Sequence, residues 1–378
     1  MITEANQGVI FGEVAQCSLL ECTISYNKDG PSGGTAVTIG QGGLAQDVHV
    51  AACTLFSEDP GSPPQPKGGL GLSVLSASRL VVANTRIEGF EQGVVINPAE
   101  ASVQSVYFSN LNIYTVSTEP TIGAAVSITP ESSSTVSEVV FVGCDIGPGE
   151  STGTLYEGAG IHIDQGSGSV DQVRFVSCYS CAWLGPGLQI DAATNVEVVG
   201  GYYSCNGIQT ESLPSPLQAG IAIAINGNSV SGVRIVGAGC NNSVYRVGTG
   251  KGWLEATQKY GIALGAAASN VVVRDCDLTG NEAAALSIVT GAGVQVTDCA
   301  GYNDQATPLP SPSLGTSFSA ETLGYYGPMS FYVLSIALTS TVKIDDQTTG
   351  LKQGAFTLSP GESAEISGGP VTIVAIGQ

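Results

Sequence analysis

Short apolar strands with a period of two recur along the first three hundred residues. Val48-His49-Val50, Leu80-Val81-Val82, Val106-Tyr107-Phe108, Val139-Val140-Phe141, Val173-Arg174-Phe175, Val196-Glu197-Val198, Val233-Arg234-Ile235, Val271-Val272-Val273 and Val294-Gln295-Val296 repeat at intervals of 23 to 38 residues. Side chains alternate across a strand, so the first and third residue of each triplet share one face. Three positions after the strand, one column collects Cys22, Cys53, Thr85, Leu111, Cys144, Cys178, Cys276 and Cys299. A second strand recurs behind a glycine: Gly93-Val94-Val95-Ile96, Gly123-Ala124-Ala125-Val126, Gly160-Ile161-His162-Ile163, Gly187-Leu188-Gln189-Ile190, Gly220-Ile221-Ala222-Ile223 and Gly261-Ile262-Ala263-Leu264.

Strands repeating at this interval, with no helical period between them, predict an all-β chain. The architecture expected over residues 1–304 is a right-handed parallel β-helix of about ten coils. Coils stacked at the strand spacing of about 4.8 Å bring like residues onto like, which accounts for a cysteine column. A β-propeller would need four-stranded blades and a more uniform repeat. The repeat fades after Tyr302-Asn303-Asp304, and the Pro/Ser-rich stretch 305–327 reads as a linker. Over 328–378 the pattern changes. Phe331 to Leu338, Thr341 to Asp345, Ala355 to Leu358, Ala364 to Ser367 and Val371 to Ile376 read as short antiparallel strands of a small C-terminal β domain, with turns at Gly350 and Pro360-Gly361.

Charge narrows the partners. The chain has 12 Lys and Arg against 32 Asp and Glu, a formal charge of -20. Nucleic-acid binding needs clustered basic residues to neutralise phosphates, and none is present. No apolar run reaches the ~18 residues of a membrane-spanning helix. Residues Met1 to Gln7 lack the basic and apolar regions of a secretory signal, which predicts synthesis in the cytoplasm without a signal peptide. The β pattern begins at once at Gly8-Val9-Ile10-Phe11, which predicts that Met1 follows a missing N-terminal region or begins a fragment. The ten cysteines follow the repeat, so they are expected to be buried free thiols. Cys178 and Cys181 form an isolated C-x-x-C, without the second pair or histidine a zinc site needs. No metal or cofactor is expected.

The pattern resembles phage and prophage β-helix tail proteins of the tailspike, or pectate-lyase-like, superfamily. Asp275-Cys276-Asp277-Leu278-Thr279-Gly280-Asn281 resembles a last coil, and Gly301-Tyr302-Asn303 the motif that closes it. Thr348-Thr349-Gly350-Leu351, Gly354-Ala355-Phe356-Thr357-Leu358 and Pro360-Gly361-Glu362-Ser363 resemble the appended β domain, although the C-terminus lacks the family's tryptophan. The resemblance implies a trimeric component of a virion or tail-like particle. It implies no particular ligand; a host surface polysaccharide, and other tail or particle proteins met through a missing N-terminal region, are the partners expected. The function expected is a tailspike or fibre that recognises a glycan, the alternatives being a glycan depolymerase and a purely architectural component.

Two sets of residues carry candidate chemistry. If Ile161, Ile163, Leu188 and Ile190 point inward, His162, Asp164, Gln189 and Asp191 point outward, and Asp164 stacks on Asp191. Two carboxylates one strand apart would repel, one holding a proton near neutrality, as a glycosidase pair requires. His162 and Glu157 would assist. A water-facing or cation-sharing pair is the plainer possibility. The elements Gly-His-Gly and Arg-x-Lys of polygalacturonase-like enzymes do not occur. The second set is aromatic: Tyr179, Trp183, Tyr202, Tyr203, Tyr245 and Trp253 lie near the turns of consecutive coils and could stack on sugar rings or cap the core. The small residues Val95, Ala125, Ala222, Ala224 and Ala263 are expected to form an outward strip suited to subunit packing, and Asp275 and Asp298 to serve turns.

Overall fold

The computed structural model describes residues 2–5, 7–27, 34–58, 69–99, 101–115, 124–148, 158–164, 166–207, 217–241, 245–246, 253–254, 258–288 and 292–302, and the strand segments 317–319, 329–336, 341–344, 347–348, 354–358, 363–367 and 371–377. Up to Tyr302 the chain winds through three parallel sheets, two of ten strands and one of seven. Each early coil supplies one strand to each sheet, as in Val14–Leu20, Thr23–Asn27 and Thr35–Ile39. This is the parallel β-helix that the repeat predicts.

The triplets form the first ten-stranded sheet. Its central row runs Leu19, Val50, Val82, Phe108, Phe141, Phe175, Val198, Ile235, Val273, Val296, each the register partner of the next. Phe108, Phe141 and Phe175 stack face to face, with ring centres 4.5 and 5.2 Å apart. The glycine-entered strands form the second ten-stranded sheet, whose inner rows include Val94, Val126, Ile161, Leu188, Ile221 and Ile262. Gly160 is required by its neighbours, since a Cβ there would lie 2.0 Å from the Ser180 hydroxyl and 2.4 Å from the Trp183 ring.

Two rows of left-handed residues turn each coil. One immediately precedes the cysteine column: Glu21, Ala52, Asn84, Asn110, Gly143, Ser177, Gly200, Gly237, Asp275 and Asp298 all have φ between 48° and 67°. Glycine and asparagine suit this conformation, and Asn110 Nδ2 donates to Asn84 Oδ1 at 3.1 Å across the coils. Asp275 and Asp298 belong to this row, which explains them as turn residues. The second row lies inside the triplet strands: Gln16, Asp47, Arg79, Ser105, Glu138, Gln172, Asn195, Gly232, Asn270 and Gly293. It breaks the period of two, so that Val103 and Val106, three apart, are both buried.

The cysteine column keeps its register from coil to coil, with Thr85 and Leu111 standing between Cys53 and Cys144. Tyr179 N donates to Cys144 O at 2.8 Å and Tyr202 N to Cys178 O at 2.8 Å, as coils stacked in register require. All ten cysteines are free thiols, eight of them buried. A thiol contact with Cys178, together with burial, pushes the Cys144 thiol far above its ordinary range.

The seven-stranded sheet ends at Tyr179–Ser180, after which single bridges continue it through Tyr202, Gly239, Asp277 and Ala300. Amide side chains fill the place of the missing strands. Gln258 Nε2 donates to Cys240 O at 2.9 Å and Asn281 Oδ1 at 2.8 Å, and Asn206 Nδ2 donates to Ser180 O at 3.0 Å. Beyond Tyr302 the described strands are antiparallel, in a four-stranded and a three-stranded sheet. Of the stretch 305–327, Ser317–Ser319 is described, as a strand paired with Ser363–Ser367. Among the described residues no helix is long and apolar enough to cross a membrane.

Candidate functional site

The glycine-entered sheet carries an outward row in which Ser127 pairs with His162, His162 with Gln189 and Gln189 with Ala222. Asp164 and Asp191 each follow the paired residues Ile163 and Ile190, so they occupy the same step of neighbouring coils. Their surroundings differ. Asp191 is 1% exposed, and its Oδ2 takes three donors: His162 Nε2 at 2.9 Å, Gln189 Nε2 at 2.6 Å and Asn226 Nδ2 at 2.7 Å. Burial alone would raise its pKa, but these donors outweigh it and hold the carboxyl below the usual 3.8. Asp164 is only partly buried, and its Oδ1 accepts from Gly166 N at 3.4 Å.

This corrects the carboxylate pair expected from the register. Asp191 neither faces water nor shares a proton with Asp164. It is an ionised group beneath His162, whose side chain is a quarter exposed. Glu157 lies outside the described residues. The strip of small residues is also corrected. Ala125, Ala222, Ala224 and Ala263 are at most 2% exposed within the single chain, so they are not a free face. Ala125 and Ala224 pack in the hydrophobic core itself.

The aromatic set divides. Tyr179 and Tyr202 are nearly half exposed, and their rings lie 5.0 Å apart at 32°. A Cβ on Gly239, in the next coil, would come within 2.7 Å of the Tyr202 ring, so the ring lies over that glycine. Trp183 and Tyr203 are core residues and cannot meet a ligand at the surface. They turn inward where the seven-stranded sheet has ended and the chain itself must fill the core. Tyr245 and Trp253 belong to the strands Tyr245–Arg246 and Trp253–Leu254 of a two-stranded antiparallel ribbon, and their side chains lie outside the described residues.

No protein-family model matches the sequence, and no curated protein matches it. Solved structures do. A tailspike variant of E. coli bacteriophage HK620, in complex with a pentasaccharide, aligns with 99% of this chain and 67% of its own at 11% identity and a TM-score of 0.50. The enzymatically active domain of bacteriophage CBA120 tailspike protein 2 aligns with 100% of this chain and 72% of its own, at 12% identity and a TM-score of 0.47. PfbA, a surface adhesin of Streptococcus pneumoniae, aligns with 77% of this chain and 79% of its own, at 10% identity and a TM-score of 0.29.

The chain has the β-helix fold of the phage tailspikes.

On this tailspike fold the tyrosine pair is one end of a longer row. Thr54, Arg86, Asn112, Asp145 and Tyr179 are successive register partners on the outer face of the seven-stranded sheet, and a bridge continues the row to Tyr202. Five strand spacings of about 4.8 Å make it roughly 24 Å long. Its far end opens into a cleft of about 470 Å³ lined by Thr54, Asn84, Arg86, Asn110 and Asn112, among others. Tyr114 O–H donates to Asp145 Oδ2 at 2.7 Å beside the row. Sequence reasoning missed the cleft. The one signal it offered was the pair of asparagines, Asn84 and Asn110, at the position before the cysteine column.

Proposed function

We propose that this chain recognises a host surface glycan along the outer face of its seven-stranded sheet, as part of a trimeric tailspike or fibre on a virion or tail-like particle. The observation that carries the reading is the exposed Tyr179–Tyr202 pair at the end of a polar row. Aromatic faces take the C–H surfaces of sugar rings, while the amides, hydroxyls and guanidinium of Asn112, Thr54 and Arg86 suit sugar hydroxyls. A row of this length accommodates several sugar units. The charge of -20 favours a neutral or weakly charged glycan over a polyanion. The pentasaccharide bound by the HK620 tailspike is in keeping with this reading.

A glycan array probed with the full chain tests it. The expected result is retention of a restricted set of bacterial surface glycans, lost in Tyr179→Ala/Tyr202→Ala. Silence across the array, or binding indifferent to both tyrosines, would overturn it. Molar mass in solution checks the assembly: three copies are expected, and a monomer at micromolar concentration would count against the trimer.

A further inference from the structure

The outward face of the first ten-stranded sheet has no part in the glycan reading. Its side chains stand in rows that run along the helix, one residue per coil. In the row that follows the triplets, Val142, Val176, Val199 and Val236 are successive register partners, each partly exposed. The row continues the other way through Ser109, Ala83 and Ala51 to Leu20, which is 57% exposed. Beside it, the middle residues of three consecutive triplets add Val81, Tyr107 and Val140. Valine suits any strand, but the equivalent row of the seven-stranded sheet is Thr54, Arg86, Asn112, Asp145 and Tyr179, which is polar. A contiguous apolar strip of this extent marks a contact surface.

We propose that copies of this chain pack on one another through the valine row of this sheet, around an axis parallel to the helix. Three observations select another copy as the occupant. First, two chains of charge -20 repel, so they meet best where charge cancels. The ten strands of this sheet carry four acidic residues and four arginines, and so no net charge. Second, the size fits. Nine spacings of about 4.8 Å by the roughly 20 Å of a seven-residue strand give about 900 Å² per copy, close to the ~800 Å² per partner of a stable interface. Third, the row is parallel to the stacking direction. A rotation about a parallel axis therefore brings Val142, Val176, Val199 and Val236 onto their equivalents at every coil, in a closed assembly. Arg174, Glu197 and Arg234 flank the row as a charged rim, with Arg174 Nε 2.8 Å from Glu197 Oε2. The glycine-entered sheet offers no such face. Thr38, Ser73, Ser127 and Ala222 of its outward row are at most 8% exposed within the single chain. The number of copies, three, rests on the reading above; the face and its occupant do not.

The test is light scattering on the full chain at micromolar concentration. Wild type is expected at three copies. Val176→Asp/Val199→Asp places two carboxylates per copy in the apolar seam, and its mass should fall to one copy with an unchanged circular dichroism spectrum. Ile10→Asp is the control, because Ile10 is 45% exposed but lies on the glycine-entered sheet; it should remain at three. A second arm does not depend on a disruptive variant. A benzophenone amino acid placed at Ser109, within the row, should on irradiation join chains to one another, with the cross-links mapping to this same sheet of another copy. Three copies surviving in Val176→Asp/Val199→Asp, equal loss in Ile10→Asp, or cross-links that map to another sheet would overturn the face and leave the assembly standing. A monomeric wild type would overturn both. Neither arm involves a sugar, so glycan binding at Tyr179 and Tyr202 stands or falls separately on the array.

Discussion

Tyr202 lies against Tyr179 from the next coil, ring centres 5.0 Å apart, and covers Gly239 of the coil beyond. Gly239 is not among the left-handed glycines, so its small size, not its backbone freedom, is what the ring uses. Gly239→Ala therefore should displace the Tyr202 ring while leaving the coil intact. Glycan affinity is expected to fall with a melting temperature within a degree or so of wild type. Calorimetric titration beside a thermal melt checks both.

Asp191 links stability to pH. Its carboxyl is held below the ordinary 3.8, so the folded state binds this proton less readily than the unfolded chain. The contribution is complete above the unfolded value and is lost as pH falls through the folded one. Acid melts between pH 5 and 2 should show wild type losing stability more steeply than Asp191→Asn. At pH 7, Asp191→Ala should cost about 3 kcal/mol, because it leaves the donors of His162, Gln189 and Asn226 without their acceptor.

The phenylalanine ladder is the most demanding part of the core. Phe141 has a stacked ring on each side and no exposure. Phe141→Ala should cost about 3–5 kcal/mol, and Phe141→Leu clearly less, by denaturant titration.

The left-handed row before the cysteines offers a stabilising change. Ala52 occupies it at φ 54°, one coil before Asn84. Ala52→Asn should relieve about 1 kcal/mol of backbone strain and extend the Asn84–Asn110 ladder. The melting temperature is expected to rise; a fall would contradict the strain argument.

What could be read from the sequence was whatever one row of the core repeats. Valine and cysteine columns mark inward positions because each coil meets the same neighbours above and below. The second left-handed row was not legible: Gln16, Arg79, Glu138 and Gln172 carry no turn signature, and only the register shows that the strand bends there. The fate of Trp183 and Tyr203 was hidden for a different reason. An aromatic residue near a turn reads alike whether a strand or a side chain closes the core, and here the sheet stops at Ser180. The register of His162 on Gln189 was legible. The covering of Asp191 was not, because it depends on Asn226, 35 residues later.

The affinity of the array-selected glycan for wild type and for Tyr179→Ala/Tyr202→Ala is the most direct measure of the functional reading. Binding at least tenfold weaker, about 1.4 kcal/mol, is expected in the double variant, with an unchanged melting temperature. Equal affinity in the two folded proteins would contradict it.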